Sequence, residues 1–351
     1  MKYRWEPDLT LVTDPLLMNA GVHNVPTQYT LFDKNENPVK TVATYGELIT
    51  IFLNKLAASS DKTLVVVDET GAYSDGVAFA TGPNIRRAFV FHNTFLADAN
   101  DINGRIDSFF ENVCANRELF DGLVFLTKFE RDDFAKRYGS SEKYHVIPHA
   151  YDFAAPRVPF EDRNGKKAVI VSRFDSFKRI ETAVEIFKLV TEKLPDVTLD
   201  IYGFGAGALD KTESIRDAIE RLELTDCVFM KGPASNPAAV FSDAAMFMMT
   251  SSREGFGLTL MESICNGCPA FAFDIKYGPS DIIKNGETGF LIENKDVETY
   301  AAKMVEFLSD ESLRRKMSDN CYDDAARFGK EKFLDNWAKF LEEMYIKGRC
   351  M

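Results

Sequence analysis

The sequence predicts an α/β protein of two doubly wound domains, each a parallel sheet covered by helices. From about residue 63 onward, short apolar β-branched runs alternate with longer amphipathic stretches, as in chains that form parallel sheets. The alternation pauses between Pro148 and Pro159 and then restarts. A chain of 351 residues is also long enough for about two domains. We therefore expect two domains joined near residues 150–165.

The first 45 residues do not follow this alternation. Thr27–Phe32 and Val39–Ala43 flank the polar segment Asp33–Pro38, a pattern typical of an antiparallel hairpin with a polar turn. The expected organisation has four parts: a hairpin-containing segment at 1–45, a first domain at 46–155, a second domain at 156–329 and a final helix at 330–351.

Buried parallel strands are predicted where apolar residues run together, and helices where apolar residues recur with a period of 3.6. The predicted strands are 64–67, 88–91, 123–126, 167–172, 197–202, 227–231, 245–250 and 269–273. The predicted helices are 103–118, 128–138, 178–194, 211–223, 257–267, 296–309, 311–327 and 330–346. The last helix carries one apolar stripe, formed by Phe333, Trp337, Phe340, Leu341 and Met344.

Composition excludes several classes of function. The 42 Lys and Arg residues against 54 Asp and Glu residues give a net charge of −12, which argues against nucleic acid as the main partner. No apolar run approaches the roughly 20 residues that span a bilayer, and the N-terminus lacks a signal-peptide core. The protein is therefore predicted to be cytoplasmic, with peripheral association at the inner face of the plasma membrane left open.

Cysteines and metal ligands are scattered. The six cysteines have the spacing of reduced thiols. We interpret Cys265 and Cys268 as small packed residues in preference to a redox or metal-binding pair. The sequence contains no D-x-D and no His/Cys cluster, so no metal is predicted.

The strongest local signal is the segment Glu254–Glu262, which follows a predicted strand and opens a helix. Gly255 and Gly257 allow a tight turn, and the amides of residues 257–259 would point toward an anion at the helix N-terminus. Glu254 would lie at the carboxyl end of the sheet, where open α/β folds bind ligands. The alternative is that both glutamates are solvated residues at a helix start.

Two cations, Arg173 and Lys178, follow the first strand of the second domain. Cations oppose the dipole at a helix N-terminus, so a bound diphosphate explains them better than a plain surface does. Gly203–Ala208 fits G-x-G-x-x-G/A but follows the second strand of its domain, so we interpret it as a tight turn and not as a nicotinamide site.

Three histidines lie in the first predicted domain or at its junction with the second. His92 ends a predicted strand, where a functional role and a structural role are equally expected. His149 is expected to face the cleft, and His145 to be structural. Five basic residues are either a binding face for an anionic acceptor or a solvated helix face: Lys128, Arg131, Lys136, Arg137 and Lys143.

Together, Arg173, Lys178, Glu254, Glu262 and the helix at 330–346 resemble one family. They are similar to the retaining, metal-independent glycosyltransferases of family four, whose GT-B fold has two Rossmann-like domains facing each other across a cleft. The segments 146–149 and 273–279 resemble more narrowly the bacterial poly(glycerol-phosphate) α-glucosyltransferases and the wall teichoic acid α-glycosyltransferases. The hairpin resembles the β-sheet insertion of these enzymes and of the adhesin-modifying O-glycosyltransferases.

The resemblance implies a role for each matching residue. Glu254 would orient the transferred sugar and stabilise positive charge at its anomeric carbon, and His92 would contact that sugar near the reacting bond. Glu262 would bind the ribose. The diphosphate of a UDP-sugar would be held by Arg173, Lys178 and the amides of Gly257, Leu258 and Thr259. The uracil would be held near Lys231, Gly232 and Asn236.

The implied activity is transfer of glucose or N-acetylglucosamine from a UDP-sugar, with retention, to a hydroxyl group of a teichoic acid or related polymer or glycan. No metal and no other cofactor is expected. The sequence does not distinguish the two sugars.

The first domain departs from the family pattern. Family members begin with a strand and a glycine-rich loop near the donor phosphates, whereas the N-terminal region here offers only Gly21. Two classes of function therefore stay open: an active hexosyltransferase, with an adhesin O-glycosyltransferase as one alternative, and a non-catalytic subunit that pairs with an active homologue. A homo-oligomer and a hetero-oligomer both stay open. A glycosidase is a weaker third alternative, because the two glutamates lie before and inside one helix and do not obviously face one bond.

Overall fold

The computed structural model describes residues 2–6, 9–13, 28–68, 72–82, 84–152 and 156–346, with backbone alone at 2–6, 9–13 and 72–73. The strands of these residues form three sheets. Gly21, Thr27 and Cys350, which belong to features predicted from the sequence, lie outside the described residues.

The first sheet is antiparallel and has the order β1-β2-β3-β4. Its strands are β1 (Lys2–Glu6), β2 (Leu9–Thr13), β3 (Tyr29–Phe32) and β4 (Pro38–Val42). The pairing of β3 with β4 confirms the predicted hairpin. The Asp33 carboxylate fixes the turn by accepting the amides of Asn35 and Asn37 at 2.8 and 2.9 Å.

The second sheet is parallel, has the order β5-β6-β7-β8 and forms what we call the N-terminal half. Its strands are β5 (Thr63–Val67), β6 (Ile85–Phe91), β7 (Gly122–Phe125) and β8 (Tyr144–Val146), and its helices are α1 (Tyr45–Ala58), α2 (Ala72–Ala78), α3 (Glu111–Ala115) and α4 (Lys128–Tyr138). Three predicted strands and the helix at 128–138 are confirmed. The core of this half is rich in stacked and edge-on phenylalanines, among them Phe89, Phe91, Phe125 and Phe134.

The helix predicted at 103–118 is wrong over most of its length, because only Glu111–Ala115 and the short 3₁₀ turn Arg117–Leu119 are helical. Aspartate side chains satisfy backbone amides before the helix begins. Asp101 accepts from the Asn103 amide at 3.2 Å, and Asp107 accepts from the Phe109 amide at 3.1 Å. Such local bonds compete with the helical ladder.

The third sheet is parallel, has the order β11-β10-β9-β12-β13-β14 and forms the C-terminal half. Its strands are β9 (Asn164–Val171), β10 (Thr198–Tyr202), β11 (Val228–Gly232), β12 (Ala244–Met249), β13 (Ala270–Asp274) and β14 (Gly289–Glu293). Its helices are α5 (Ile180–Thr191), α6 (Thr212–Arg221), α7 (Pro237–Asp243), α8 (Leu258–Cys265), α9 (Pro279–Ile282), α10 (Val297–Ser309) and α11 (Glu311–Ala325). The five strands predicted here are confirmed, and β14 is an addition.

The strand order of the C-terminal half reverses between β9 and β12. The chain moves outward from β9 through β10 to β11 and then returns to place β12 on the other side of β9. In open α/β sheets, ligands bind in the crevice at the carboxyl ends of the strands at such a reversal. The segments after β9 and β12 are those that carry the predicted cations and Glu254.

The final helix, α12 (Lys330–Ile346), crosses back onto the N-terminal half, as predicted. A Cβ atom on Gly122 would lie 2.7 Å from the Phe340 ring, so the helix packs directly on β7. The His145 ring meets the same phenylalanine edge-on with centroids 4.8 Å apart, which confirms a packing role for this histidine.

Two further sequence predictions concern thiols and membrane spans. The five described cysteines are free, as predicted for reduced thiols. Burial raises the pKa of both Cys265 and Cys268 to about 12, which disfavours a reactive thiolate. In the described ranges, every helix is too short or too polar to cross a bilayer.

Candidate functional site

A cavity of about 330 Å³ opens at the carboxyl ends of β9 and β12, between the two halves. Seven residues predicted from the sequence line it together: His92, Arg173, Lys178, Glu254, Gly257, Leu258 and Thr259. His149, which was expected to face the cleft, also lines it. Residues from loops that are far apart in sequence therefore meet where the fold predicts a ligand.

The centre of the cavity wall is an ion pair between Lys178 and Glu254. Lys178 Nζ lies 2.6 Å from Glu254 Oε1, and the hydroxyl of Ser251 donates to the same oxygen at 2.6 Å. Both side chains are mostly buried, with 18% and 12% of their surface exposed. The carboxylate is thus held in one orientation by two short bonds.

The loop that carries Lys178 is fastened to the end of β12. The Thr250 hydroxyl donates to the carbonyls of Lys178 and Arg179 at 3.0 and 2.9 Å. In return, the Arg179 guanidinium donates to the carbonyls of Thr250 and Ser251 at 2.8 and 2.7 Å. Arg179 has the left-handed backbone angle φ +47°, a strained conformation for this residue type that these bonds hold in place.

The start of α8 lies next to this pair and has the geometry that favours an anion. Gly257 has φ +93°, and the first helical amides to bond its carbonyl are those of Leu260 and Met261. The amides of Leu258 and Thr259 precede them and have no acceptor within the helix. Arg173, whose side chain is 74% exposed, reaches Asp175 at 3.2 Å and lines the same cavity. Helix dipole, free amides and two cations together favour a phosphate-like group.

The N-terminal half contributes a stacked histidine pair. His92 follows β6 and places Nε2 2.7 Å from Asp68 Oδ1, and its ring stacks on His149 with centroids 5.4 Å apart. Burial, and then the neighbouring His92, lower the pKa of His149, which favours the neutral ring.

Gly255 allows the two halves to touch beside Glu254. A Cβ atom at this position would lie 2.2 Å from the His92 carbonyl oxygen and 2.7 Å from Asn93 Cα. Real side chains do not tolerate such distances to backbone atoms. The glycine therefore sets how closely His92 approaches the Glu254 loop.

Four predicted site residues lie outside this cavity. Glu262 is half-buried on α8, and burial raises the pKa of its carboxyl group. Lys231 Nζ lies 3.6 Å from Asp200, and the carbonyl of Gly232 accepts the Gly203 amide at 2.9 Å. Asn236 caps α7, because its side-chain oxygen accepts the Ala239 amide at 3.2 Å. Their assigned roles toward ribose and base stay predictions.

The segment after β13 supports the site and was not given a role from the sequence. The Tyr277 amide donates to the Glu254 carbonyl at 3.3 Å, and its hydroxyl donates to Asp133 of the N-terminal half at 3.1 Å. Lys276 reaches the same aspartate at 2.7 Å. Two signals were available: the resemblance of segment 273–279 to the family, and its place at a strand's carboxyl end, beside the predicted residues.

The possible basic face on α4 is partly paired with carboxylates of the same helix. Lys128 and Arg131 each lie 2.7 Å from Asp132, and Lys136 lies 2.8 Å from Asp133. These contacts favour the alternative of a solvated helix face. Across the residues with described positions, no group of three or more His, Cys, Asp and Glu side chains could hold a metal ion.

Comparisons with known proteins agree with this architecture. Residues 154–324 match the family model described as glycosyl transferases group 1. The chain is 30% identical over 305 residues to a poly(glycerol-phosphate) alpha-glucosyltransferase of Bacillus subtilis, covering 85% of this chain and 44% of that protein. It is 26% identical over 322 residues to a poly(ribitol-phosphate) alpha-N-acetylglucosaminyltransferase of Staphylococcus aureus, covering 91% of this chain and 62% of that protein.

A solved structure gives the same fold. A mutant of S. aureus TarM in complex with Fondaparinux, alpha-GlcNAc-glycerol and UDP superposes with a TM-score of 0.75 at 23% identity, covering 95% of this chain and 69% of that one. The chain thus spans 44% and 62% of the lengths of the two curated relatives named above. The chain has the GT-B fold, and its residues 154–324 are related to the glycosyl transferases of group 1.

Proposed function

We propose that this protein transfers a hexose, glucose or N-acetylglucosamine, from a UDP-sugar to a hydroxyl acceptor with retention of the anomeric configuration. The observation that carries the proposal is the Lys178–Glu254 pair beside the free amides of α8, with His92 facing it across the cleft. The site combines fixed positive charge for a diphosphate with one fixed carboxylate for the sugar.

Each group has a part in the reaction. Negative charge grows on the departing diphosphate, and Arg173, Lys178 and the amides of Leu258 and Thr259 would stabilise it. Positive charge grows at the anomeric carbon, and the negative charge of Glu254 would stabilise it. The acceptor would attack from the face that UDP leaves, and the departing phosphate oxygen would take its proton. The side chains then need only to position and stabilise, without a metal ion.

The acceptor is proposed to be a polymer or glycan. The names of the two relatives point to poly(glycerol phosphate) and poly(ribitol phosphate), so a teichoic acid is the acceptor that sequence similarity favours. The ion pairs on α4 give no support to a polyanion site on that helix.

A calorimetric titration with UDP, UDP-glucose, UDP-N-acetylglucosamine and NAD, in the presence of EDTA, tests the donor half of the proposal. We expect UDP and one UDP-sugar to bind and NAD not to bind. Absence of binding to every uridine nucleotide would contradict the proposal and favour a non-catalytic subunit. Binding that appears only when Mn²⁺ replaces EDTA would contradict the metal-free site.

A further inference from the structure

A second cavity of about 330 Å³ adjoins the first and shares Asn93, Arg173, Lys178 and Glu254 with it. Three phenylalanines line this second cavity: the exposed Phe109 and the buried Phe110 from the N-terminal half, and the exposed Phe177 from the C-terminal half. Phe109 precedes α3 and is 65% exposed, and Phe177 follows β9 and is 41% exposed. Two exposed aromatic rings beside a proposed reaction centre call for an explanation, because large apolar side chains normally pack inside.

Each exposed phenylalanine is the last residue of an Asp-Ser-Phe tripeptide, Phe109 at residues 107–109 and Phe177 at residues 175–177. In each copy the aspartate accepts the phenylalanine amide through Oδ1, at 3.1 Å for Asp107 and 3.0 Å for Asp175. The chain therefore makes the same turn on both sides of the cavity, and each turn presents a phenylalanine.

An arginine holds each turn. Arg253 lies 2.7 Å from Asp107 Oδ2, and Arg173 lies 3.2 Å from Asp175 Oδ2. The Phe177 turn is also fastened to the loop after β12, because the Ser252 amide donates to the Phe177 carbonyl at 2.7 Å. Rings on fixed turns bind a ligand without first losing loop entropy.

We propose that the second cavity is the acceptor subsite and that it binds a pyranose ring between Phe109 and Phe177. This inference rests on the proposed function and narrows its acceptor to a glycan whose reacting unit is a sugar ring. A pyranose has apolar C–H faces that pack on aromatic rings and hydroxyls that bond to the Asp107–Arg253 pair. The shared Glu254 and Lys178 place the acceptor hydroxyl next to the donor site.

The charges favour a neutral ring over an alditol phosphate chain. Three cations line this cavity: Arg253 is paired with Asp107, and Arg173 and Lys178 are assigned to the donor diphosphate, which leaves no cation for a phosphodiester of the acceptor. An open alditol chain also has no flat apolar face to pack on the phenylalanines. A neutral pyranose ring therefore matches both the paired charges and the exposed phenylalanines of the cavity, whereas a polyol phosphate matches neither.

The test compares Phe109→Ala with Phe129→Ala, a matched control because Phe129 is 47% exposed on α4 and does not line either cavity. The probes are the methyl glycosides of glucose, galactose and N-acetylglucosamine, and poly(glycerol phosphate). Saturation-transfer NMR in the presence of UDP measures binding, and initial rates with the UDP-sugar that binds give the acceptor KM. Calorimetry measures UDP affinity separately.

We expect a methyl glycoside to bind, and Phe109→Ala to raise its KM by about tenfold or more while UDP affinity changes by less than about twofold. Phe177→Ala should act in the same direction, and Phe129→Ala should have no effect. Equal KM values in Phe109→Ala and wild type, or binding of poly(glycerol phosphate) and of no glycoside, would overturn the inference while leaving the proposed function standing. Failure of the proposed function would instead appear as loss of UDP binding in the wild type.

Discussion

Single residues of the site act in fixed pairs. Glu254 is held by Lys178 and Ser251, and Lys178 is held in turn by the bonds that Thr250 and Arg179 exchange. Charges fixed before the reaction need no reorganisation when charge develops in the transition state. Residue substitutions should therefore separate donor binding from catalysis.

The substitution Glu254→Gln keeps the side chain's shape and removes its negative charge. We expect transfer to fall by about 10²- to 10³-fold, the usual cost of losing one such electrostatic group. UDP affinity, measured by calorimetry, should change by less than about threefold. Glu287→Gln, at an exposed position, is the control and should behave as wild type. A loss of UDP affinity as large as the loss of rate would contradict the assigned role.

The substitution Glu262→Ala should lower UDP affinity more than it lowers the rate of transfer. If this glutamate binds the ribose, its loss removes one charged hydrogen bond and weakens UDP binding by about tenfold. The rate at saturating donor should fall less than in Glu254→Gln. Unchanged UDP affinity in a calorimetric titration would rule out a ribose contact.

The buried carboxyl group of Glu130 should make the stability of the N-terminal half depend on pH. It is fully buried, its Oε1 accepts the Phe95 amide at 3.1 Å, and its Oε2 has no partner among the described residues. Burial raises the pKa of this carboxyl well above its usual value; Asp281 and Asp133 also raise it, whereas Arg253 lowers it.

A raised carboxyl pKa lowers stability as pH rises. Between the unfolded and the folded pKa, the native state holds a proton that the unfolded state has lost, so stability decreases by up to about 1.4 kcal/mol per pH unit. Glu130→Gln removes this titration. Unfolding by urea from pH 5 upward should show wild type losing stability relative to Glu130→Gln. Parallel curves for the two proteins would contradict the raised pKa.

At the scale of elements, the strands could be predicted and several loops could not. The run that forms β12 is apolar and buried throughout, and the second half of β9 is apolar and mostly buried, so composition alone predicts these strands. The stretch 103–118 has helical spacing. However, the side chains of Asp101 and Asp107 accept hydrogen bonds from nearby backbone amides, and these bonds replace the helical hydrogen bonds. Hydrogen bonds of this kind leave no trace in hydrophobic periodicity.

The loop of Gly255 gives a prediction at this scale. Gly255→Ala would place Cβ 2.2 Å from the His92 carbonyl, so the loop and the end of β6 must move apart. We expect a loss of about 1–3 kcal/mol in the free energy of unfolding, typical of overpacking, together with reduced transfer. Gly165→Ala is the control, because its Cβ would meet only the end of the Arg314 side chain, at 3.3 Å. Equal stability of the two variants would show that the halves are not in close contact here.

At the scale of the whole molecule, the sequence predicted seven of the residues that line the cavity, but not how their side chains pair. Arg173, Lys178 and Glu254 were predicted because each follows a strand, and parallel strands end at one edge of a sheet. The bonds of Lys276 and Tyr277 to Asp133 join residues more than 140 positions apart. Such contacts depend on how the halves sit together, which no local pattern encodes.

The helix α12 joins the halves, and its contribution can be measured. Phe340 is 2% exposed and packs on Gly122 and His145 of the N-terminal half. Because Phe340→Ala leaves a cavity at that contact, we expect a loss of about 3–5 kcal/mol in the free energy of unfolding. Leu334→Ala on the same helix, at a position 53% exposed, should cost less than about 0.5 kcal/mol. Urea unfolding followed by circular dichroism compares the two, and similar small losses would mean that α12 does not hold the N-terminal half.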